Sequence, residues 1–131
     1  MEPIVKKWYD GLENEKIMGA KCSDCNNVTF PPMTVCRECR SRRLNPIEMS
    51  GKGTIVMFSA TILPAKPFAD MAPIPYGIVK TEEGPCLFTK ISGVDCSSPE
   101  AIRRENELLP APGEATIEKV KGVNIVTFKK A

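Results

Sequence analysis

The 131-residue chain contains no histidine. Without histidine it can form neither a Ser-His or Cys-His nucleophile pair nor a catalytic zinc site with imidazole ligands. Acid–base chemistry near neutral pH would fall to carboxylates, lysines or thiols with shifted pKa values. An enzyme that works by itself is therefore disfavoured, and a binding or structural role is favoured.

Long apolar runs are also missing. No run approaches the roughly 18 residues that are needed to span a bilayer. Residues 1–7 lack the hydrophobic core of a signal peptide. We therefore expect a cytoplasmic protein with no membrane partner, and a reducing compartment would keep its six cysteines free of disulfides.

A strong charge of one sign is absent as well. The 18 Lys and Arg against 16 Asp and Glu give a net charge of +2, too little to indicate nucleic acid. The local excess lies at Arg37, Arg40, Arg42 and Arg43. These arginines either form a solvated rim or bind phosphates of RNA or of a nucleotide-bearing cofactor, because guanidinium groups match phosphate oxygens.

Four of the cysteines form two close pairs, Cys22 with Cys25 and Cys36 with Cys39. Two intervening residues let one tight turn direct both sulfurs to a common point, and two such turns complete the tetrahedron that Zn²⁺ prefers. We predict a zinc site, with two disulfides or four free thiols as the alternatives. Because four thiolates leave no open position, the site would be structural.

The other two cysteines are not predicted to react. Cys86 begins an apolar stretch, where a buried, inert thiol is the usual outcome. Asp95 precedes Cys96 and would raise the pKa of its thiol. No histidine is present to activate either one.

Residues 1–16 are predicted to form an amphipathic helix. Ile4, Trp8 and Leu12 recur every four residues and form an apolar stripe. The stripe could cover the core of the domain or dock on a partner. Trp8 and Tyr9 would be suitable interface anchors.

The remainder divides into two predicted regions. Residues 17–46 form the zinc ribbon, which is too small to be stable without its metal. Residues 47–131 contain short β-rich segments separated by Gly and Pro, which suit a five-stranded barrel of the OB type. The predicted strands cover residues 53–63, 76–80, 86–91, 115–120 and 123–128, and a helix covers residues 99–107, with a break at 110–113.

A proline-rich segment, residues 64–75, is predicted to be an exposed loop. It is nevertheless apolar, and exposed apolar loops often mark binding surfaces. This segment either folds over one end of the barrel or contacts a partner. The large apolar residues that could make a contact are Phe68, Met71 and Ile74 in the segment and Tyr76 directly after it.

Several motifs follow one another in a specific order. Between the cysteine pairs lies Phe30-Pro31-Pro32, and the barrel region opens on Gly51-Lys52-Gly53. The remaining motifs are Trp8-Tyr9-Asp10, Pro75-Tyr76-Gly77-Ile78-Val79 and Glu82-Glu83-Gly84. Over nearly its whole length the chain resembles small proteins in which a rubredoxin-like zinc ribbon precedes an OB-fold, and which accompany thiolase-superfamily enzymes acting on acyl-CoA, such as benzoylsuccinyl-CoA thiolase.

This resemblance implies a mainly β fold and a non-catalytic subunit of a hetero-oligomer. The catalytic residues would lie on the thiolase-like partner, and this chain would stabilise the complex and help form its coenzyme A channel. Coenzyme A or acyl-CoA would be shared with the partner, and residues that could meet its phosphates are Arg37, Arg40, Arg42, Arg43 and Lys52. Residues predicted to contact the partner are Trp8, Tyr9, Leu12, Phe30, Pro31, Pro32, Phe68, Met71, Ile74 and Tyr76.

The chain departs from the family pattern at residues 96–113, a long charged stretch that could be a contact specific to its own partner. The alternative function is binding of single-stranded nucleic acid, which OB-folds achieve with aromatic side chains and a basic groove. The aromatic content of 6% and the nearly balanced charge argue against it.

Overall fold

The computed structural model describes residues 3–131 and is built mainly of β-strands. A 3-10 helix spans Lys66–Met71. The other elements are α1 (Pro3–Glu13), β1 (Met18–Cys22), β2 (Val28–Thr29), β3 (Leu44–Glu48), β4 (Lys52–Thr61), β5 (Ile74–Thr81), β6 (Cys86–Ser92), α2 (Pro99–Glu107), β7 (Ala111–Val120) and β8 (Val123–Lys130). The predicted fold class, an N-terminal helix followed by a zinc ribbon and a β-barrel, is confirmed.

The ribbon is a three-stranded antiparallel sheet in the order β2-β1-β3. Its central strand pairs Ala20 with Thr29 on one side and with Pro46 on the other. Strand β3 had no counterpart among the predicted strands. It runs through residue 48 and therefore crosses the predicted division between residues 46 and 47.

The remaining strands form a closed barrel in the order β4-β5-β6-β8-β7. Strands β6 and β8 are parallel, and β4 closes the ring by pairing with β7. Every barrel strand thus has a neighbour on both sides over at least part of its length. This is the OB-type barrel that the sequence predicted.

Strand β7 begins at Ala111, four residues before the predicted strand 115–120, within residues 110–113 that were predicted to break the chain after the helix. Pro112 and Gly113 pair with Thr54 and Gly53 where the barrel closes. Gly113 is buried, and a Cβ at this position would lie 2.9 Å from Cδ1 of Ile55. The glycine therefore permits a close approach of two strands and lies inside β7 rather than in a break before it.

A single hydrophobic core spans the ribbon and the barrel. Ile17, Phe30 and Met49, from the ribbon and its end, belong to the same buried cluster as Ile55 and Phe128 of the barrel. Along β5, buried and exposed residues alternate. Val79, for example, is fully buried, whereas its neighbours Ile78 and Lys80 are exposed.

Helix α1 docks on this core and ends at residue 13, three residues earlier than predicted. Gly11 lies against β1, where a Cβ would be 2.7 Å from Cγ of Met18, so the helix cannot approach as closely with a larger residue. Lys16 then donates its backbone N–H to the carbonyl of Gly11 as the chain turns. The stripe is therefore used at least partly within the chain.

Helix α2 matches the predicted bounds of residues 99–107. The Ser98 hydroxyl caps it by accepting a hydrogen bond from the backbone N–H of Ala101. Its Asn106 side chain accepts from the N–H of Phe58 at 3.1 Å and donates to the carbonyl of Phe58 at 3.0 Å. The helix thus satisfies backbone groups of β4 close to the irregularity in its pairing with β5.

Neither of the two α-helices among the described residues has the length and apolar sequence that a membrane crossing requires.

Candidate metal centre and partner surfaces

The four predicted ligands meet at one point. The Sγ atoms of Cys22, Cys25, Cys36 and Cys39 all lie within 4.8 Å of one another. Two of the distances, Cys22 to Cys39 and Cys25 to Cys36, are 3.5 Å. Tetrahedral zinc with bonds of about 2.3 Å would hold its sulfurs about 3.8 Å apart. The thiols are free, and their arrangement fits zinc held by four sulfurs.

Both cysteine pairs lie in turns of the same construction. In the first, Cys22 accepts from the N–H of Asn26 and donates its own N–H to the carbonyl of Asn27. In the second, Cys36 does the same with Arg40 and Ser41. Asn26 and Arg40 both adopt positive φ angles, of 63° and 64°. This repetition places the two pairs of sulfurs face to face.

Polar contacts fasten the two turns to each other. Asp24 of the first turn accepts a hydrogen bond from the Ser41 hydroxyl and forms an ion pair with Arg43 at 3.1 Å. The backbone N–H of Ser23 donates to the carbonyl of Arg43 at 2.9 Å. Because the ion pair is exposed, its contribution is small, and the contacts mainly fix the relative position of the turns.

Two of the thiols ionise more readily than an ordinary cysteine. The backbone N–H of Cys39 is the main cause that lowers the pKa of Cys36 to about 6. For Cys22, burial acts to raise the pKa, but backbone N–H groups of Cys25 and Asp24 outweigh it and the pKa is lowered. A lowered pKa favours the thiolate, which is the form that binds metal.

The other two thiols behave in the opposite way. The N–H of Asn27 acts to lower the pKa of Cys25, but loss of hydration and the adjacent sulfurs outweigh it and raise the pKa to about 12. The pKa of Cys39 is also raised: the N–H of Ser41 acts to lower it, but the sulfur of Cys22 and loss of hydration prevail. A dication would favour all four thiolates together, so zinc binding should release protons.

The predicted phosphate-binding residues are all exposed, but they do not share one depression. Arg37 lines a depression of about 370 Å³ between the ribbon and the turn before β6. Lys52 lines a different one on the barrel, together with Lys80. Arg43 pairs with Asp24. A role of these residues in binding coenzyme A stays a prediction.

The depression lined by Arg37 also contains Thr29, which is 3% exposed. The Thr29 hydroxyl has no hydrogen-bond partner among the described residues. Buried hydroxyls are normally paired, so this group could accept or donate a bond to a water or ligand. No sequence pattern indicated it.

The predicted partner residues separate into buried and accessible ones. Leu12 and Phe30 are each 4% exposed and lie in the core, which corrects the expectation that they would meet a partner directly. Trp8 is half-buried, with its ring 5.5 Å from that of Phe30. The predicted interface residues that are half-buried or exposed, and for which contact with a partner stays a prediction, are Trp8, Tyr9, Pro31, Pro32, Phe68, Met71, Ile74 and Tyr76.

Other exposed apolar residues were not predicted as interface residues. Ile62 and Leu63, directly after β4, are 74% and 88% exposed, and Phe88 is 67% exposed. Cys86 is also exposed, so the expectation of a buried thiol was wrong. Since Leu87 faces inward, the period of two along a strand would have placed Cys86 and Phe88 outside.

Comparison with known proteins supports the assignment of a zinc ribbon near the N-terminus. Residues 10–45 match the family model described as "ChsH2, rubredoxin-like zinc ribbon domain". A DUF35 domain-containing scaffold protein of Methanothermobacter thermautotrophicus is 36% identical over 109 residues, covering 82% of this chain and 80% of the relative. The chain belongs to the DUF35 scaffold protein family. A second DUF35 domain-containing scaffold protein, from Methanocaldococcus jannaschii, is 32% identical over 100 residues, which cover 76% of this chain and 69% of the relative.

Two solved structures share the fold of this DUF35 protein. A chain of the Ltp2-ChsH2(DUF35) aldolase matches with a TM-score of 0.74 and 20% identity, over 99% of this chain and 96% of that one. A DUF35-family protein from Sulfolobus solfataricus matches with a TM-score of 0.62 and 16% identity, over 100% of this chain and 87% of that one. At these identities the matches establish the fold.

Proposed function

We propose that this DUF35 protein is a non-catalytic, zinc-stabilised accessory subunit of a thiolase-superfamily acyl-CoA enzyme. In this role it holds the complex together and helps form the channel for coenzyme A. The reaction would be thiolytic cleavage or condensation of a 3-oxoacyl-CoA, with the reacting groups on the partner. The scaffold name of the relatives and the enzyme named in the Ltp2-ChsH2(DUF35) structure support an association with an enzyme.

The main observation behind this proposal is the closed metal site. Cys22, Cys25, Cys36 and Cys39 supply all four ligands that tetrahedral zinc takes, so the ion would stabilise the ribbon without binding substrate. The chain contains no histidine to act as a general base. Large apolar side chains on its surface, by contrast, suit contact with another protein.

The coenzyme A part of the proposal rests on charge and position. Arg37 lines a depression at the junction of ribbon and barrel, where a partner could close a channel. Its guanidinium group could pair with a phosphate. Arg40, Arg42 and Lys52 would add positive charge, whereas Arg43 is already paired with Asp24.

The test is co-expression with a thiolase-superfamily enzyme from the same genome. We expect the two proteins to co-purify as a complex of defined mass, and acyl-CoA turnover to fall when this chain is omitted. An Arg37→Ala variant should raise the KM for acyl-CoA in the complex, and Lys129→Ala, at an exposed cation on β8, is the control. If the enzyme neither binds this chain nor changes in activity, the proposal fails.

Single-stranded nucleic acid remains the alternative, and one observation favours it. The rings of Tyr76 and Phe88 lie 5.2 Å apart on the barrel surface, where bases could stack. Two lysines that could bind phosphates of a nucleic acid instead form ion pairs within the chain, Lys90 with Glu118 and Lys121 with Asp70, which argues against this alternative. Salt-dependent binding of an oligothymidylate would support this alternative, and no binding at low salt would remove it.

A further inference from the structure

The depression between the ribbon and the turn before β6 contains a buried hydroxyl that no described residue pairs. Thr29 of β2 lines this depression and is 3% exposed, and its hydroxyl has no hydrogen-bond partner among residues 3–131. Its cross-strand neighbour on β1 is Ala20, whose methyl group forms no hydrogen bond. Because an unpaired buried hydroxyl costs free energy, a molecule in the depression that pairs it would remove this cost.

The residues around this hydroxyl give the depression apolar and polar parts. Phe30 is buried and Val28 is half-buried, whereas Arg37, Glu38 and Cys86 are exposed. The volume of about 370 Å³ lies within the range of small-molecule sites, which is about 300–1,000 Å³. Such sites combine apolar walls with a few polar groups that orient the ligand. The depression therefore has both the size and the lining of a small-molecule site.

The charged residues of the lining favour an anion at one position. Arg37 forms no ion pair with a carboxylate among the described residues. A free guanidinium group binds a carboxylate or a phosphate through two parallel hydrogen bonds. Glu38 lines the same depression, and its negative charge opposes an anion. A ligand would therefore place its anionic group against Arg37 and away from Glu38.

We infer that this depression is a binding site for a small molecule that carries an oxyanion, either a phosphate or a carboxylate. The oxyanion pairs with Arg37, and a polar atom of the same molecule pairs with the Thr29 hydroxyl. The inference goes beyond the proposed function, because every residue of the site belongs to this chain and no enzyme partner is required. Coenzyme A is one source of such a group, and a free carboxylic acid is the other.

Nuclear magnetic resonance titrations of the zinc-loaded chain test the site directly. The probes are coenzyme A, inorganic phosphate and succinate, each at the same ionic strength. At least one probe should shift the backbone amide signals of Thr29 and Arg37 and leave that of Arg103 on α2 unchanged. A response to coenzyme A and to phosphate identifies a phosphate site, and a response to succinate alone identifies a carboxylate site.

Thr29→Val separates ligand binding from stability, because valine has nearly the same shape without the hydroxyl. The variant should bind the responding probe about three- to tenfold more weakly than the wild type. Its thermal midpoint without a probe should rise by about 2–5 °C, because the unpaired buried hydroxyl is gone. Thr29→Ser keeps a hydroxyl and should bind the probe more tightly than Thr29→Val.

Charge variants test where the oxyanion lies. Arg37→Gln should weaken binding of the responding probe by at least about tenfold, since a charged hydrogen bond is lost. Glu38→Gln removes a like charge and should strengthen binding by up to about threefold. Arg103→Gln removes the same charge as Arg37→Gln from an exposed position on α2 and should bind the probe normally.

A native thiol gives an independent measurement. Cys86 is exposed and lines the depression, whereas Cys96 lies in the connection between β6 and α2. Iodoacetamide labelling of the zinc-loaded chain, read by peptide mass, follows both thiols at once. A saturating probe should slow the alkylation of Cys86 and leave that of Cys96 unchanged.

Several results would overturn the inference. If none of the three probes shifts the Thr29 and Arg37 signals at millimolar concentration, the depression is not an oxyanion site. If a probe binds equally well to the wild type, Thr29→Val and Arg37→Gln, it binds elsewhere. If Arg103→Gln weakens binding as much as Arg37→Gln, the probe responds only to overall charge. The proposed function would survive each of these results, because co-purification with the enzyme tests it separately.

Discussion

The zinc ribbon and the barrel are both small β-structures, but different interactions stabilise them. The ribbon has three short strands, and four thiols converge beneath its two turns. The barrel closes on itself around large buried side chains, among them Ile55, Val79, Ile91 and Phe128. Metal coordination replaces the apolar burial that the ribbon is too small to provide.

The two regions nevertheless share part of one core. Ile17 and Phe30 of the ribbon pack in the same cluster as the barrel residues. The metal therefore shapes the turns, while apolar contacts fix the ribbon on the barrel. From this comparison we predict that the ribbon can lose its internal structure while β7 and β8, on the far side of the barrel, stay folded.

Loss of a zinc ligand should have the largest effect. Cys36→Ser is expected to abolish zinc binding and to open residues 18–48, because structural zinc contributes roughly 10–16 kcal/mol in small metal-dependent domains. Amide hydrogen exchange should become fast in the ribbon and stay slow in β7 and β8. Cys86→Ser, at an exposed cysteine outside the metal site, is the control. Fast exchange throughout the barrel would show that the two regions form one folding unit.

A core substitution should produce the complementary result. Phe128 is 1% exposed, and Phe128→Ala should reduce the free energy of unfolding by about 3–5 kcal/mol. Denaturant unfolding measures this loss, and zinc content should remain at one ion per chain. Phe88→Ala, at an exposed aromatic residue, should cost less than about 1 kcal/mol. A loss of zinc from the Phe128 variant would contradict the idea that metal stabilises the ribbon and apolar packing stabilises the barrel independently.

Asn106 should contribute less to the free energy of unfolding than a core residue of the barrel and more than a surface residue. Asn106→Ala leaves the backbone N–H and carbonyl of Phe58 without their side-chain partner, which should cost about 1–3 kcal/mol. Thermal and denaturant unfolding measure the change. Arg103→Ala, on the same helix and exposed, should fall within about 0.5 kcal/mol of the wild type. Equal stabilities of the two variants would mean that water replaces the amide.

The barrel should also respond to acid through Glu105. A hydrogen bond from Lys130 is the main cause that lowers the pKa of Glu105 from its usual 4.5. The ion pair is therefore fully stabilising above pH 4.5, and its contribution is lost as the pH falls through the lowered pKa. Glu105→Gln should cost about 1 kcal/mol or less near pH 7 and nothing in strong acid. A difference that persists in strong acid would point to lost packing.

The smallest effect is expected in the second turn of the ribbon. Arg40 has a φ of 64°, a conformation that glycine adopts without strain. Arg40→Gly should stabilise the ribbon by up to about 1 kcal/mol, which competition for zinc with a chelator can measure. Asn26→Gly, at the matching position of the first turn, should change little because asparagine tolerates this conformation. A gain at both positions would contradict this explanation.

The features that depend on local patterns could be predicted from the sequence. The cysteine spacing located the metal centre, and Ser98 followed by Pro99 placed the start of α2 correctly. The β-rich segments bounded by Gly and Pro located most of the barrel strands. These signals are local because each depends on residues that are adjacent or a few positions apart.

The features that depend on distant contacts could not be predicted. Strand β3 forms by pairing with β1, and its Pro46 gives no strand signal of its own. Gly113 indicated a break because the close approach of Ile55, 58 residues earlier, is not visible in a local pattern. The same limit applies to Leu12 and Phe30, whose burial depends on how the helix and the ribbon meet the barrel.

The alternation of residues along β5 and β6 has an evolutionary consequence. Val79 and Leu87 build the interior, while the residues next to them, Ile78, Phe88 and Lys80, are exposed. Mutations at the outward positions can therefore accumulate with little cost to folding. A lineage could change what this surface contacts by changing every second residue of two strands, while selection for a stable barrel conserves the residues between them.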